Sequence, residues 1–134
     1  MKLLFICTHN RCRSILCEAI VNQRGRGLLQ AASAGSAPAA FVHPLTLHYL
    51  TERGYETADL VSQSWNDLAD YEPDRVITVC DSAADEACPI WMGNVAKGHW
   101  GLPDPSRVES NDETVRNAFM SVIDRIEGKV DEWV

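Results

Sequence analysis

Near its start the chain reads Lys2-Leu3-Leu4-Phe5-Ile6-Cys7-Thr8-His9-Asn10-Arg11-Cys12-Arg13-Ser14. Lys2–Cys7 is a continuous apolar run rather than an alternating one, the pattern of a strand buried on both faces of a parallel sheet. A polar turn follows. From Ser14 the apolar positions Ile15, Leu16, Ala19 and Ile20 fall at helical spacing until Gly25 and Gly27 end the pattern.

Further along, Leu28–Ser33 predicts a second strand, closed by Gly35 and Pro38. Pro44 suits the first position of a helix running to Arg53, with Gly54 just past its end. Ser64–Asp70 predicts a short helix capped by Ser64. Arg75-Val76-Ile77-Thr78-Val79-Cys80 is a strand rich in β-branched residues, and Lys97–Leu102 predicts a fourth. At the end of the chain Ser110-Asn111-Asp112-Glu113 fits a capping box, and Val115, Phe119, Val122, Ile126 and Trp133 hold one apolar stripe. Strands separated by helices imply an α/β fold, an open parallel four-stranded sheet with right-handed crossovers and helices on both faces. Such sheets take ligands beyond the carboxyl ends of their strands, near the point where strand order reverses. The segments after Cys7, Cys80 and Leu102 all open onto that edge.

A length of 134 residues supports one core rather than two, and no repeat or low-complexity tract divides it, so a single domain over 1–134 is expected. With 46% hydrophobic residues, disorder is excluded as the main state. A formal net charge of −7 argues against nucleic acid or an anionic membrane as partner. No apolar run approaches the ~20 residues that span a bilayer. The opening residues are too few for a signal-peptide core, so a cytoplasmic location is expected. Cys7, Cys12, Cys17, Cys80 and Cys88 are odd in number and unevenly spaced, unlike a disulfide framework. With no Cys-x-x-Cys pair and with His9, His43, His48 and His99 scattered, no metal site is expected. Reactive thiol chemistry is the hypothesis, set against the plain reading of each cysteine as a small buried apolar residue.

The loop Cys7–Ser14 has the makings of an anion cradle. Its N–H groups and the positive end of the following helix converge on one spot, and Arg13 adds a planar fork of donors. Thr8, His9, Asn10, Arg11, Cys12, Arg13 and Ser14 are therefore the candidate oxyanion-binding residues. Cys7 lies in their field, which predicts an ionised thiol at neutral pH, with the Ser14 hydroxyl available to it. The expected outcome is a nucleophile aimed at a bound oxyanion.

Cysteine, five residues and then arginine, set between a buried strand and a helix, resembles the low-molecular-weight protein tyrosine phosphatase family and the arsenate reductases that share its fold. Ser33-Ala34-Gly35, Asp104-Pro105 and the cysteines after the third strand agree, so with the terminal helix the likeness covers essentially the whole chain. The resemblance implies a flavodoxin-like three-layer fold, Cys7 as nucleophile and Asp104 as general acid. The plain reading of Asp104-Pro105 is the start of a turn. His9 departs from the family, whose members commonly carry glycine there, and Asn10 suits a left-handed turn.

Within the family two activities compete. Hydrolysis of phosphotyrosine needs Cys7, Arg13 and Asp104 and has no use for Cys80 and Cys88. Reduction of arsenate to arsenite takes two electrons, which thiols ending as a disulfide supply. If the strand order is the family's, Cys7 and Cys80 end neighbouring strands roughly 4.8 Å apart, within reach of a disulfide after modest motion. The resemblance then implies a relay: Cys80 attacks the Cys7–arsenic adduct, and Cys88 in turn attacks Cys80. The Cys80–Cys88 interval is one residue longer than in the thioredoxin-coupled relatives. No bound cofactor is expected, only an external thiol reductant, either thioredoxin or glutathione with glutaredoxin. The aromatic residues that flank Asp-Pro in the phosphatases are missing from Ser106-Arg107-Val108, and Trp91 and Trp100 are the other aromatics that could line the cleft. A third possibility is a module that binds oxyanions or senses redox state without turnover. Cys12 is read as an oxidative guard for Cys7 or as neutral lining, Cys17 as core, and Arg11 as solvent-facing or anion-steering. His43 reads as a helix-start residue, and His48 and His99 as structural.

Overall fold

A computed structural model describes residues 1–25, 27–80 and 95–133. Four strands, β1 (Lys2–Ile6), β2 (Gln30–Ala34), β3 (Arg75–Thr78) and β4 (Ala96–His99), form one sheet in the order β2-β1-β3-β4. Every pair is parallel. Consecutive strand residues face opposite ways, and Leu3, Leu4, Phe5 and Ile6 are all buried, so both faces of β1 are covered. That is why the strand lacks alternation.

Among the described residues three helices pack with the sheet: α1 (Arg13–Arg24), α2 (Pro44–Glu52) and α3 (Asp112–Trp133). α1 lies on β1 and β2, and the three helices pack against one another. Pro44 opens α2 as expected, and the His43 ring accepts the Leu45 N–H at 3.2 Å. From α3, Phe119, Val122, Ile126 and Val130 are buried, while Trp133 stands edge-on to Trp100, which packs on Phe5. Among the described residues no helix is long and apolar enough to cross a membrane.

Several boundaries differ from the sequence expectation, each for a local reason. β2 begins at Gln30 because pairing begins there, opposite Lys2, and Leu28 stands in solvent in the preceding turn. β3 ends at Thr78 and β4 at His99, which face each other; beyond them Trp100 and Leu102 still bond to Thr78 and Val79 but leave the ladder. The segment after Ser64 forms a 3-10 turn over Trp65–Leu68, closed by the reciprocal Ser64–Asp67 cap. α3 is capped by Asn111 rather than Ser110: the Asn111 side-chain oxygen Oδ1 accepts the Thr114 N–H at 2.8 Å, one residue later than the Ser110–Glu113 box would require.

In this strand order β2 and β3 flank β1, so the order reverses at β1 and β3. Ile6 lies level with Ala34 and with Thr78. The residues that follow, Cys7, Gly35 and Cys80, therefore emerge together at one carboxyl edge.

Candidate active site

The loop leaving β1 is held by its carbonyls. Thr8 accepts the Ala37 N–H at 2.9 Å, His9 the Ala39 N–H at 2.9 Å and the Ser62 hydroxyl at 3.2 Å, and Arg11 the His43 N–H at 2.9 Å. In a trans peptide the C=O and the next N–H point in opposite directions. Carbonyls turned outward at 8, 9 and 11 thus turn the N–H groups of His9, Asn10 and Cys12 inward. Asn10 makes the bend with φ of 45°. Its amide nitrogen donates to Ser14 Oγ (2.8 Å) and Ser33 Oγ (3.0 Å), and its carbonyl oxygen accepts the Gln63 N–H (2.8 Å). Ser33 in turn donates to Glu18 at 2.7 Å, and burial pushes the Glu18 carboxyl above its usual range. Gly35 lets β2 close on the loop: a Cβ there would stand 2.5 Å from the Thr8 carbonyl and 2.7 Å from that of Cys7.

The loop encloses a pocket of about 190 Å³. Cys7, Thr8, His9, Arg11, Cys12 and Arg13 line it from the loop, and Cys80, Asp104 and Arg107 line it from the segments after β3 and β4. Arg13 donates to the Leu102 carbonyl at 3.1 Å and lies 3.5 Å from Asp104 Oδ2. Arg107 Nε lies 3.5 Å from the same oxygen. The other Asp104 oxygen accepts the Ser106 N–H (3.0 Å) and hydroxyl (2.6 Å), which fixes the carboxylate over the loop. Asp104-Pro105 does start a turn, the 3-10 segment Pro105–Arg107, and that turn delivers the carboxylate to the pocket.

Cys7 Sγ sits 3.4 Å from Cys80 Sγ, and the Thr8 hydroxyl is 3.8 Å from Cys80. In this geometry a second group works against the ionisation of Cys7 that its loop favours. Its hydrogen bond to Cys80, its burial and the charge of a Cys80 thiolate all push the Cys7 thiol far up, against the downward pull of Arg13 and the His9 N–H. The loop acts with the predicted sign, and a second thiol in contact opposes it. Burial also pushes Cys12 up to about 12, where the Thr46 and Ser106 side chains partly offset it. Cys17 is buried core, as expected.

Of the residues picked from sequence, Cys7, Cys80, Arg13 and Asp104 meet in one pocket, with Thr8, His9, Arg11 and Cys12 in its wall. Asn10 and Ser14 do not line it. They are fully buried and bonded to one another beneath the loop, where they set its shape. Trp100 is buried against Phe5 and Trp133, and among the described residues no Phe, Tyr or Trp lines the pocket. Cys88 and Trp91 lie outside the described residues. His99 bonds to the Thr78 hydroxyl at 2.7 Å, and His48 stands edge-on to Tyr49. Sequence reading missed Ser106 and Arg107 as site residues; their place two and three residues after Asp104 in a tight turn was the available signal. Among the described residues no three His, Cys, Asp or Glu side chains converge to hold a metal ion.

An inward-facing amide loop, a cysteine at its mouth, an arginine at the helix start and an aspartate opposite define an oxyanion-handling thiol site on a parallel α/β sheet. The chain belongs to the low molecular weight phosphotyrosine protein phosphatase family, whose model matches residues 2–134. It is 31% identical over 133 residues to an arsenate reductase of Bacillus subtilis (strain 168), covering 96% of this chain and 91% of that protein. Among solved structures, a thioredoxin-dependent arsenate reductase of Corynebacterium glutamicum superposes with a TM-score of 0.72 at 29% identity over 98% of this chain, which spans 59% of that longer one. An arsenate reductase in the phosphate binding state gives a TM-score of 0.75 at 26% identity, covering 98% of this chain and 97% of its own.

Proposed function

We propose that this protein reduces arsenate to arsenite. The observation that carries the reading is the Cys80 thiol 3.4 Å from Cys7 inside the oxyanion pocket. Arsenate binds to the loop N–H groups and Arg13, and Cys7 sulfur attacks arsenic. An S–As bond forms and an As–O bond breaks. The thiol proton ends on the departing oxygen, delivered through Asp104, and the oxygen leaves as water. Cys80 sulfur then attacks Cys7 sulfur. The S–S bond forms as the S–As bond breaks, its electron pair stays on arsenic, and the Cys80 thiol proton ends on an oxygen of the departing arsenite. Two thiols have been oxidised and As(V) reduced to As(III).

The Cys7–Cys80 disulfide needs an external dithiol. Cys88 attacking Cys80 would free Cys7 and present a Cys80–Cys88 disulfide to thioredoxin, the donor supported by the thioredoxin-dependent relative. Glutathione with glutaredoxin is the other thiol source. The protein works without a bound cofactor, in the cytoplasm, where such reductants keep its cysteines reduced.

Arsenite formation with each reductant, measured beside aryl phosphate hydrolysis, tests the reading. Wild-type protein should form arsenite with a dithiol donor, and Cys80→Ser should abolish arsenite formation while leaving aryl phosphate hydrolysis in place. Fast aryl phosphate turnover with no thiol-dependent arsenite in wild type would make the protein a tyrosine phosphatase instead. Cys88→Ser sorts the donors, since only the thioredoxin route needs that thiol.

A further inference from the structure

The pocket holds more cation than the loop motif supplies. Arg107 comes from the turn after β4, outside the cysteine-to-arginine loop, and lines the same pocket. Its side chain is 73% exposed, whereas the Asp104 side chain it touches is 11% exposed. Arg13 and Arg107 both approach one oxygen, Asp104 Oδ2, at 3.5 Å, longer than a charge-assisted hydrogen bond of 2.7–2.9 Å. Asp104 keeps its orientation without them, because Ser106 holds the other oxygen by two shorter bonds. The contact from Arg107 uses Nε, which leaves its paired terminal nitrogens for a second ligand.

We propose that Arg107 is a second oxyanion-binding guanidinium that rests on Asp104 and transfers to the tetrahedral dianion when one binds. A dianion in the pocket faces Arg13 from the helix side and Arg107 from the turn side. Its arrival takes both cations from Asp104 Oδ2, the oxygen Ser106 does not occupy, and leaves that oxygen toward the ligand. Binding and exposure of the acid are thereby the same event. An exposed side chain loosely paired with a rigidly held partner is suited to this, since little else must move. The inference rests on the oxyanion reading of the pocket and is independent of its redox chemistry.

Calorimetric titration of inorganic phosphate into the reduced full-length protein tests it with a double-mutant cycle. Arg107→Gln should weaken phosphate binding about tenfold, the scale of one charge-assisted contact. If Arg107 must leave Asp104 to reach the ligand, its loss should cost several-fold more in an Asp104→Asn background, where no carboxylate competes for it. Unchanged affinity in Arg107→Gln would overturn the contact, and an equal cost in both backgrounds would overturn the transfer. Failure of the wild-type protein to bind phosphate at all would overturn the oxyanion site itself and this inference with it.

Discussion

Two thiols 3.4 Å apart cannot both be charged cheaply, and the cost follows from their separation. At an effective dielectric constant of ~20, two unit charges at that distance repel by about 5 kcal/mol. At 1.36 kcal/mol per pKa unit this separates the two ionisations of the pair by roughly 3–4 units. The Cys7–Cys80 pair should therefore lose protons in two well-spaced steps that belong to the pair rather than to either residue. Cys80→Ala removes the hydrogen bond, the nearby charge and the second step together, leaving Cys7 to burial, Arg13 and the His9 N–H. The assay is thiolate absorbance near 240 nm against pH, with Cys88 replaced by serine in every protein so that it does not contribute. Burial pushes Cys12 and Cys17 up, which keeps both out of the lower pH range. Between the two steps the pair should show one thiolate, and Cys80→Ala should turn the two waves into one. If both pair thiols titrate together within about one unit, the contact is not present in solution and the account of Cys7 fails.

Two further outcomes follow from the groups beneath the loop. Gly35→Ala places a Cβ 2.5 Å from the Thr8 carbonyl, between two backbone segments that cannot give way, and should destabilise the fold by about 1–3 kcal/mol while weakening phosphate binding. Denaturant unfolding and phosphate titration read the two effects. Glu18 carries a carboxyl raised by burial, so protonated Glu18 favours the fold, and that contribution fades as pH rises through its folded-state pKa. Glu18→Gln keeps an acceptor for Ser33 and carries no charge, so its melting temperature relative to wild type should rise from pH 4 to pH 7. A difference that is flat or falls over that range contradicts the burial of a charged group there.

The strand–loop–helix opening was legible because three signals agree there. The apolar run reports two-sided burial, the polar residues report the turn, and the apolar spacing after Ser14 reports α1. What sequence could not supply was contact. Cys7 was read from its own loop, where amides and a guanidinium favour the thiolate. The opposing group arrives from β3, 73 residues away, and its strength depends on a separation no local pattern encodes. Asn10 and Ser14 belong to the loop by sequence, yet side-chain direction puts them under it, where Asn10 bonds to both Ser14 and Ser33. The cap of α3 moved by one residue for a related reason: Ser110 and Asn111 are both good caps, and the register of the last helix against the core decides between them.

The choice between hydrolysis and reduction is made after the first chemical step, which both share. Once Cys7 carries the oxyanion, either water attacks the central atom or a thiol attacks the sulfur. A thiol held at 3.4 Å from that sulfur has an effective concentration of the order found for well-oriented intramolecular groups, about 10⁵ M or more. No bulk solvent competes with that for attack on sulfur. Attack succeeds only if the central atom accepts the electron pair of the broken bond, which As(V) does on going to As(III) and phosphorus(V) does not. A phosphoryl adduct in the same pocket must wait for water, which attacks phosphorus on the face opposite the sulfur. One placement of one thiol thus opens a route for the arsenate adduct that the phosphate adduct cannot take, with no change in the loop that binds either anion.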